Sequence, residues 1–151
     1  MAPVPALPEL RALPLMDSLP AGHVLHPIAD GASWPHLKPG EFAVIDTTDR
    51  TPAQGELFVI EYQTSRRRCV METFRHPRVM AAVDGRGGWC VGLLVRPRSI
   101  EETWRRLNAG QTRHMGYDGP YRRAEYLSEL MIGRVVGVFA PAFDEARLRT
   151  V

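Results

Sequence analysis

Hydrophobic residues occur in short runs along the chain, and most of these runs have the length and composition of β-strands. They are rich in β-branched and aromatic residues and are bounded by Gly, Pro, Asp and Thr, which is typical of a mostly β protein. The predicted strands cover residues 42–46, 57–62, 68–74, 79–83, 89–95 and 131–139. We expect a hairpin at residues 63–66, and a second one in which the glycine-rich turn at 84–88 joins its two flanking strands.

Two segments before the last strand have helical character instead. Residues 99–110 open with Ser99 and Glu102, whose spacing is that of a capping box. Residues 121–131 follow a proline, which is suited to the first turn of a helix. We therefore predict two short helices here, joined by a loop at 111–120, which contains two glycines.

The N-terminal segment, residues 1–29, contains six prolines among Leu, Ala and Val residues. Proline at this density excludes a long helix and a central strand. The apolar residues argue against a free, solvated tail. We expect an extended arm that packs on the protein or on a partner, followed by one β domain at 30–151. The arm has no helix-turn-helix pattern, so no DNA-reading unit of that kind is expected.

Composition places the chain among ordinary globular proteins. Its 151 residues suffice for one domain, with 44% hydrophobic and 24% charged residues. No apolar run is long enough to cross a membrane, and no secretion signal is visible, so we expect a cytoplasmic protein. Cys69 and Cys90 are expected to be reduced core residues rather than a disulfide. The five histidines are scattered, so neither a metal nor another cofactor is expected.

Residues 30–41 carry a more specific pattern. They read Asp-Gly-Ala-Ser-Trp-Pro-His-Leu-Lys-Pro-Gly-Glu and lead into an apolar strand. This segment resembles the line Gly-Asp-Ser-Met-x-Pro-Thr-Leu-x-x-Gly-Asp of LexA-type self-cleaving repressors and the related signal peptidases. Residues 55–60 and 133–139 resemble two later strands of that family. The resemblance implies a coiled β-sheet of the LexA C-terminal type with the two helices inserted; the alternative is an unrelated small β-barrel with helical decoration.

The resemblance aligns the family's catalytic serine and lysine with residues of different chemistry. The serine position falls on Ala32, with Ser33 next to it, and the lysine position falls on Met71 or Glu72. Neither a methyl group at the first position nor a thioether or carboxylate at the second can supply the nucleophile or the unprotonated amine. We therefore expect an inactive pseudo-peptidase, kept as a regulatory module that binds another protein or itself, in the manner of a bacterial or phage transcription regulator.

The predicted binding residues lie after Ala32, at the hairpin and before the second helix. They are Trp34, Pro35, His36, Lys38, Arg66, Arg67, Arg68, Arg122 and Arg123. The hairpin arginines could clamp an acidic partner or could simply be a solvated tip. Two other functions stay open: an active hydrolase that uses Ser33 with Lys38 or His36, and a nucleic-acid accessory protein that acts through its arginines. A net charge of +2 is too small to argue for nucleic acid by itself.

The last predicted strand, residues 131–139, also predicts how the protein assembles. A strand this apolar has to be covered on both faces or paired at its edge, and a two-fold dimer would cover an exposed edge. The strand contains one charged residue, Arg134. We expect a homodimer through this strand, with Arg134 at the rim or paired with a carboxylate such as Glu129 or Asp144.

Overall fold

A computed structural model of the chain shows one β-sheet of eight strands with a short helix. The structure describes residues 13–31, 33, 36–76, 88–94, 101, 102, 105, 108, 109 and 114–139. The strands are β1 (Leu15–Met16), β2 (His23–Pro27), β3 (Phe42–Asp46), β4 (Leu57–Glu61), β5 (Arg68–Arg75), β6 (Trp89–Leu94), β7 (His114–Tyr121) and β8 (Met131–Phe139). The helix is α1 (Ala124–Ser128).

The last strand in the chain occupies the middle of the sheet. The strand order is β2-β3-β8-β4-β5-β6-β7, and β1 adds to β8 outside this path. Every pairing is antiparallel except the parallel pairing of β1 with β8. On one side, β8 pairs with β3. On its other side, β8 pairs with β4 and β1. The strand therefore connects β1–β3 to the hairpin of β4 and β5.

Two hydrophobic clusters form because successive residues of a strand point to opposite faces. In β4, Leu57 and Val59 belong to the first cluster, which also contains Ile28, Leu37, Ala43, Ile45, Val70, Val135 and Val138. The residues that alternate with them, Phe58 and Ile60, belong to the second cluster, together with Met71, Val91, Leu127 and Met131. The continuous apolar run of β4 is therefore explained, since both of its faces are buried.

Most of the predicted strands are confirmed. Those at 42–46 and 131–139 have the same bounds as β3 and β8, and those at 57–62, 68–74 and 89–95 differ by one residue from β4, β5 and β6. Two folds were expected from the sequence: a LexA-type coiled sheet and an unrelated small β-barrel with helical decoration. Both are rich in β-strands, so the observed strand content is compatible with either fold.

The hairpin predicted at residues 63–66 joins β4 to β5. The Arg66 amide donates to the Tyr62 carbonyl (2.8 Å), and the Tyr62 amide donates to the Arg67 carbonyl (3.1 Å). Arg66 has a φ of 57°, a left-handed conformation that few non-glycine residues adopt. The other predicted hairpin is not found along β6, whose described residues pair with β5 and β7 instead. Its first arm, residues 79–83, lies outside the described residues.

Three strands were not predicted. β1 and β2 lie in the Pro-rich arm, and β2 ends on Pro27 and pairs only with β3 among the described residues. That edge position is where proline is tolerated in a sheet. β7 was predicted as a loop because its sequence contains two glycines, an aspartate and a proline, which are poor strand formers. Pairing with β6 along its length imposes the extended conformation there.

Of the two predicted helices, the second is shorter in the structure than predicted, and the first lies largely outside the described residues. The helix predicted at 121–131 is reduced to α1, because Tyr121 ends β7 and Met131 begins β8. Of the helix predicted at 99–110, the described residues 101, 102, 105 and 108 have helical backbone. The rest of that segment lies outside the described residues. Within the described part of the chain, no helix has the length and apolar character that crossing a membrane requires.

The expectation that β8 presents an exposed edge is wrong. Both edges of β8 are paired within one chain, so the strand needs no second copy to pair its edges. Arg134 pairs with carboxylates, as expected, but with two that the sequence did not indicate. Its guanidinium pairs with Glu56 (Nη2 to Oε2, 3.1 Å) and Asp49 (Nη1 to Oδ2, 3.4 Å). Glu129 is not among its partners, and Asp144 lies outside the described residues.

A hydrogen bond between Tyr62, just after β4, and Asp118 of β7 links the middle of the sheet to its β7 end. The Tyr62 hydroxyl donates to Oδ2 of Asp118 and lies 3.5 Å from Sδ of Met71. Burial, and then the negative charge of Asp118, raise the pKa of Tyr62 well above its ordinary 10.0. Burial and Asp118 also raise the pKa of Tyr121. Both phenols are therefore held in the protonated form in the folded protein.

These raised pKa values predict a loss of stability at high pH. Above pH 10.0 the unfolded chain releases the Tyr62 proton while the folded chain keeps it, so rising pH favours unfolding. We expect the melting temperature to fall from pH 10 upwards, and to fall less steeply in Tyr62→Phe. Tyr126→Phe is the control, because Tyr126 is 50% exposed. Identical pH profiles for wild type and Tyr62→Phe would contradict this assignment.

Candidate functional site

A cleft of about 210 Å³ opens where β2 meets the start of β5. It is bounded by the end of β2 and the loop after it, by the hairpin end of β5, and by one residue of β6. The described residues that line it are His26, Pro27, Ile28, Ala29, Asp30, Ser33, Arg67, Arg68, Cys69, Val70 and Leu93. The sheet coils enough to bring β2 to β5, although three strands separate them in the strand order.

The cleft has an apolar floor and polar walls. Ile28 and Val70 belong to the first hydrophobic cluster, so the floor is the edge of the core. The polar side chains come from three separate places: β2, the loop before β3, and the β4–β5 hairpin. The core therefore supplies a rigid base on which the polar side chains converge.

His26 contributes an imidazole to one wall. Its position is set by β2, where it lies opposite Ala43 of β3, and its side chain is half-buried. Burial and, secondly, the positive charge of Arg68 lower the pKa of His26 below its ordinary 6.5. The imidazole is therefore neutral at pH 7, and it is available as a hydrogen-bond donor or acceptor.

The hairpin arginines bring positive charge to the cleft. Glu61 pairs with Nη1 of Arg66 (3.5 Å) and with Nε of Arg68 (3.2 Å). These contacts leave the two terminal nitrogens of Arg68 without a carboxylate among the described residues. Arg67 likewise has no described carboxylate partner. Of the three guanidinium groups at this hairpin, two share the Glu61 carboxylate. Arg67 and Arg68 are the two that line the cleft.

The residues aligned with catalytic positions separate in the structure. Ser33 is 6% exposed and lines the cleft. Met71 and Glu72 are 8% and 2% exposed in β5, and neither lines the cleft. Met71 packs in the second hydrophobic cluster, on the other face of the sheet. The residues of β5 that line the cleft are Arg68, Cys69 and Val70. Ala32 lies outside the described residues.

The other predicted binding residues divide in the same way. Arg67 and Arg68 line the cleft, whereas Arg66, His36 and Lys38 do not. Lys38 is exposed, and its backbone amide donates to Oε2 of Glu41 (2.8 Å).

Two further predicted residues, Arg122 and Arg123, are exposed between β7 and α1, outside the cleft. Trp34 and Pro35 lie outside the described residues. The sequence did not indicate His26 or Asp30 as part of a site, because only the coiling of the sheet brings them to the hairpin. Their one local signal is that Asp30 opens the segment with the family resemblance and His26 lies shortly before it.

The chemistry offered by the cleft is that of hydrogen bonding and charge. Within the described residues, no three His, Cys, Asp or Glu side chains are grouped as a metal site. Cys69 and Cys90 are free thiols, and burial raises the pKa of Cys90 to about 11. Guanidinium groups, a serine hydroxyl and a neutral imidazole around an apolar floor are suited to holding an anionic group attached to an apolar chain.

Comparisons with known proteins identified no relative of this chain. No protein-family model matches the chain, and comparison with curated proteins and with solved structures gives no match. The family resemblance in residues 30–41 therefore remains a hypothesis. Function is inferred from the cleft and the residues around it.

Proposed function

We propose that the chain is a non-catalytic relative of LexA-type peptidases, in which the cleft binds an extended segment of a protein partner. The observation that carries this proposal is the set of residues around Ser33. The described residues that line the cleft with it include two arginines and no lysine. Arginine stays protonated at any working pH and so cannot remove the serine proton. The chain's one lysine, Lys38, is exposed and does not line the cleft.

The edge of β2 supports binding of an extended segment. Among the described residues, β2 pairs with β3 and with no other strand. Val24 and Leu25 of β2 are 42% and 38% exposed. A peptide that adds to such an edge gains main-chain hydrogen bonds, and these do not depend on a catalytic serine. Loss of the catalytic pair would therefore leave the binding function intact.

A hydrolase that uses Ser33 is the second candidate. His26 favours it, because a neutral imidazole that lines the same cleft has the chemistry of a general base. The pairing differs from the one that the sequence indicated, since neither Lys38 nor His36 lines the cleft.

Filling the cleft should abolish peptide binding. Ala29 is exposed and lines the cleft, so Ala29→Trp should place an indole there without disturbing the core. A random-peptide display selection on the full chain should enrich ligands that lose binding to Ala29→Trp by tenfold or more. Ala53→Trp is the matched control, because Ala53 is exposed and outside the cleft. Enriched peptides that bind both variants like wild type would refute a ligand site at this cleft.

The same preparation distinguishes the hydrolase. After incubation at alkaline pH the chain should keep its intact mass, and a fluorophosphonate probe should leave Ser33 unlabelled. A fragment cleaved within the N-terminal arm, or a label at Ser33, would favour the hydrolase if it disappears in Ser33→Ala and persists in Ser18→Ala. Ser18 is exposed and does not line the cleft.

A further inference from the structure

The charge at the hairpin wall of the cleft is unbalanced. Arg68 uses Nε to pair with Glu61 (3.2 Å), so its terminal nitrogens are left for another acceptor. Arg67 is exposed and lines the cleft beside it. Asp30 is the one carboxylate among the described lining residues, and it lies in the loop after β2. The arginines of the hairpin therefore have N–H groups that donate to no carboxylate among the described residues.

The size of the cleft limits what it can hold. Its volume of about 210 Å³ is below the range of roughly 300–1,000 Å³ that is common for small-molecule sites. It suits one side chain or one chain end rather than a nucleotide or a large cofactor. Ile28, Val70 and Leu93 provide apolar contacts for the carbon atoms of such a group.

We propose that the cleft binds a carboxylate carried by an extended peptide, with Arg67 and Arg68 as its charged partners. This inference rests on the proposed peptide-binding function and specifies the chemistry of its ligand. Guanidinium groups hold carboxylates through paired, charge-assisted hydrogen bonds. The Ser33 hydroxyl and the His26 imidazole supply further donors around the same space.

A peptide carboxylate fits these observations better than a nucleic-acid phosphate. Binding of a nucleic-acid strand depends on an extended basic surface that neutralises several phosphates. Here Glu61 neutralises part of the hairpin charge, and Asp30 adds a negative charge inside the cleft. One small opening, beside an edge of β2 that no described strand occupies, accommodates a single anionic group whose chain continues along β2.

The carboxylate could be an Asp or Glu side chain or a free C-terminus, and three blocked or partly blocked pentapeptides distinguish these sources. The first is acetyl-Ala-Ala-Glu-Ala-Ala-amide, and the second is acetyl-pentaalanine with a free C-terminal carboxylate. The third, acetyl-Ala-Ala-Gln-Ala-Ala-amide, is the uncharged control. Each is titrated into the full ¹⁵N-labelled chain, and the amide signals of Ser33, Arg68 and Cys69 are followed.

We expect saturable shifts of these amide signals with at least one of the two carboxylate peptides, and weaker binding of the Gln peptide by about tenfold or more. The double variant Arg67→Gln/Arg68→Gln should weaken carboxylate binding at least about tenfold, because both charge-assisted contacts are lost. Arg122→Gln/Arg123→Gln removes the same charge from exposed residues outside the cleft. It should leave the affinity within about twofold.

Several results would overturn the carboxylate site. Equal binding of the Gln and Glu peptides would do so while leaving peptide binding itself intact. Equal weakening by both double variants would show that only overall charge matters. Shifts of the same amides by an oligothymidylate, with a steep salt dependence, would favour nucleic acid instead. Absence of binding by all three peptides at millimolar concentration would also reject the site, and the display selection would then decide the proposed function independently.

Discussion

Gly133→Ala should strongly destabilise the fold, because β8 has no room for a side chain at this position. A Cβ on Gly133 would lie 2.3 Å from the carbonyl oxygen of Asp46 and 2.8 Å from Cγ2 of Ile45. The oxygen belongs to the backbone of β3, and β8 is held by hydrogen bonds to β3 on one side and β4 on the other. Neither strand can yield without breaking sheet pairing. We expect a loss of about 3 kcal/mol or more in unfolding free energy, at the upper end of the overpacking range.

Gly116→Ala is the matched control for this prediction. Gly116 also lies in a strand, β7, but a Cβ there would meet nothing within 4 Å. Chemical denaturation of both variants should show a large loss for Gly133→Ala and a change within about 1 kcal/mol for Gly116→Ala. A Gly133→Ala protein with the midpoint of wild type would show that β3 and β8 are not in this register.

Removing the chain before Gly22 should destabilise the protein and make it self-associate. The lost segment includes β1, which pairs with the end of β8. The carbonyl of Pro14 accepts a hydrogen bond from the Val138 amide (2.9 Å). Met16 packs against Gly137, where its Sδ would lie 2.9 Å from an added Cβ. Truncation therefore exposes both a buried valine and a strand edge, and an unprotected edge promotes association.

The comparison that isolates β1 is between two truncations, one starting at Leu13 and one at Gly22. Both lack residues 1–12, so whatever those residues contribute cancels. We expect the shorter chain to melt at a temperature at least several degrees lower, since losing a strand contact of this kind costs on the order of 1–3 kcal/mol. It should also elute as larger species in size-exclusion chromatography. Equal melting temperatures and two monodisperse monomers would show that β1 does not stabilise the sheet.

Part of the fold follows from local sequence. β3, β4 and β8 were predicted within a residue of their observed bounds because each is a compact apolar run rich in β-branched residues. The hairpin at 63–66 was predicted because a short polar turn separates two such runs. These features depend mainly on neighbouring residues, so the sequence alone is sufficient to locate them.

Local sequence gave the wrong prediction for the conformation of β7 and for the position of β8 in the sheet. β7 contains Gly116, Gly119 and Pro120, yet it is extended because β6 pairs with it. β8 was expected at an exposed edge, but strand order put it in the centre of the sheet. In both cases a pairing between segments distant in the chain decided the outcome, and no local preference encodes such a pairing.

The sequence by itself determined where the strands of the core lie. It also placed Ser33 in the segment with the family resemblance and three consecutive arginines at one hairpin. Only the tertiary structure decided that Ser33, His26 and Arg68 line one cleft, and that Met71 faces the opposite side of the sheet. The physical reason is that strand propensity is a property of short segments. The meeting of β2 with β5 depends on the order and coiling of the whole sheet, because burying both hydrophobic clusters at once is what favours that arrangement.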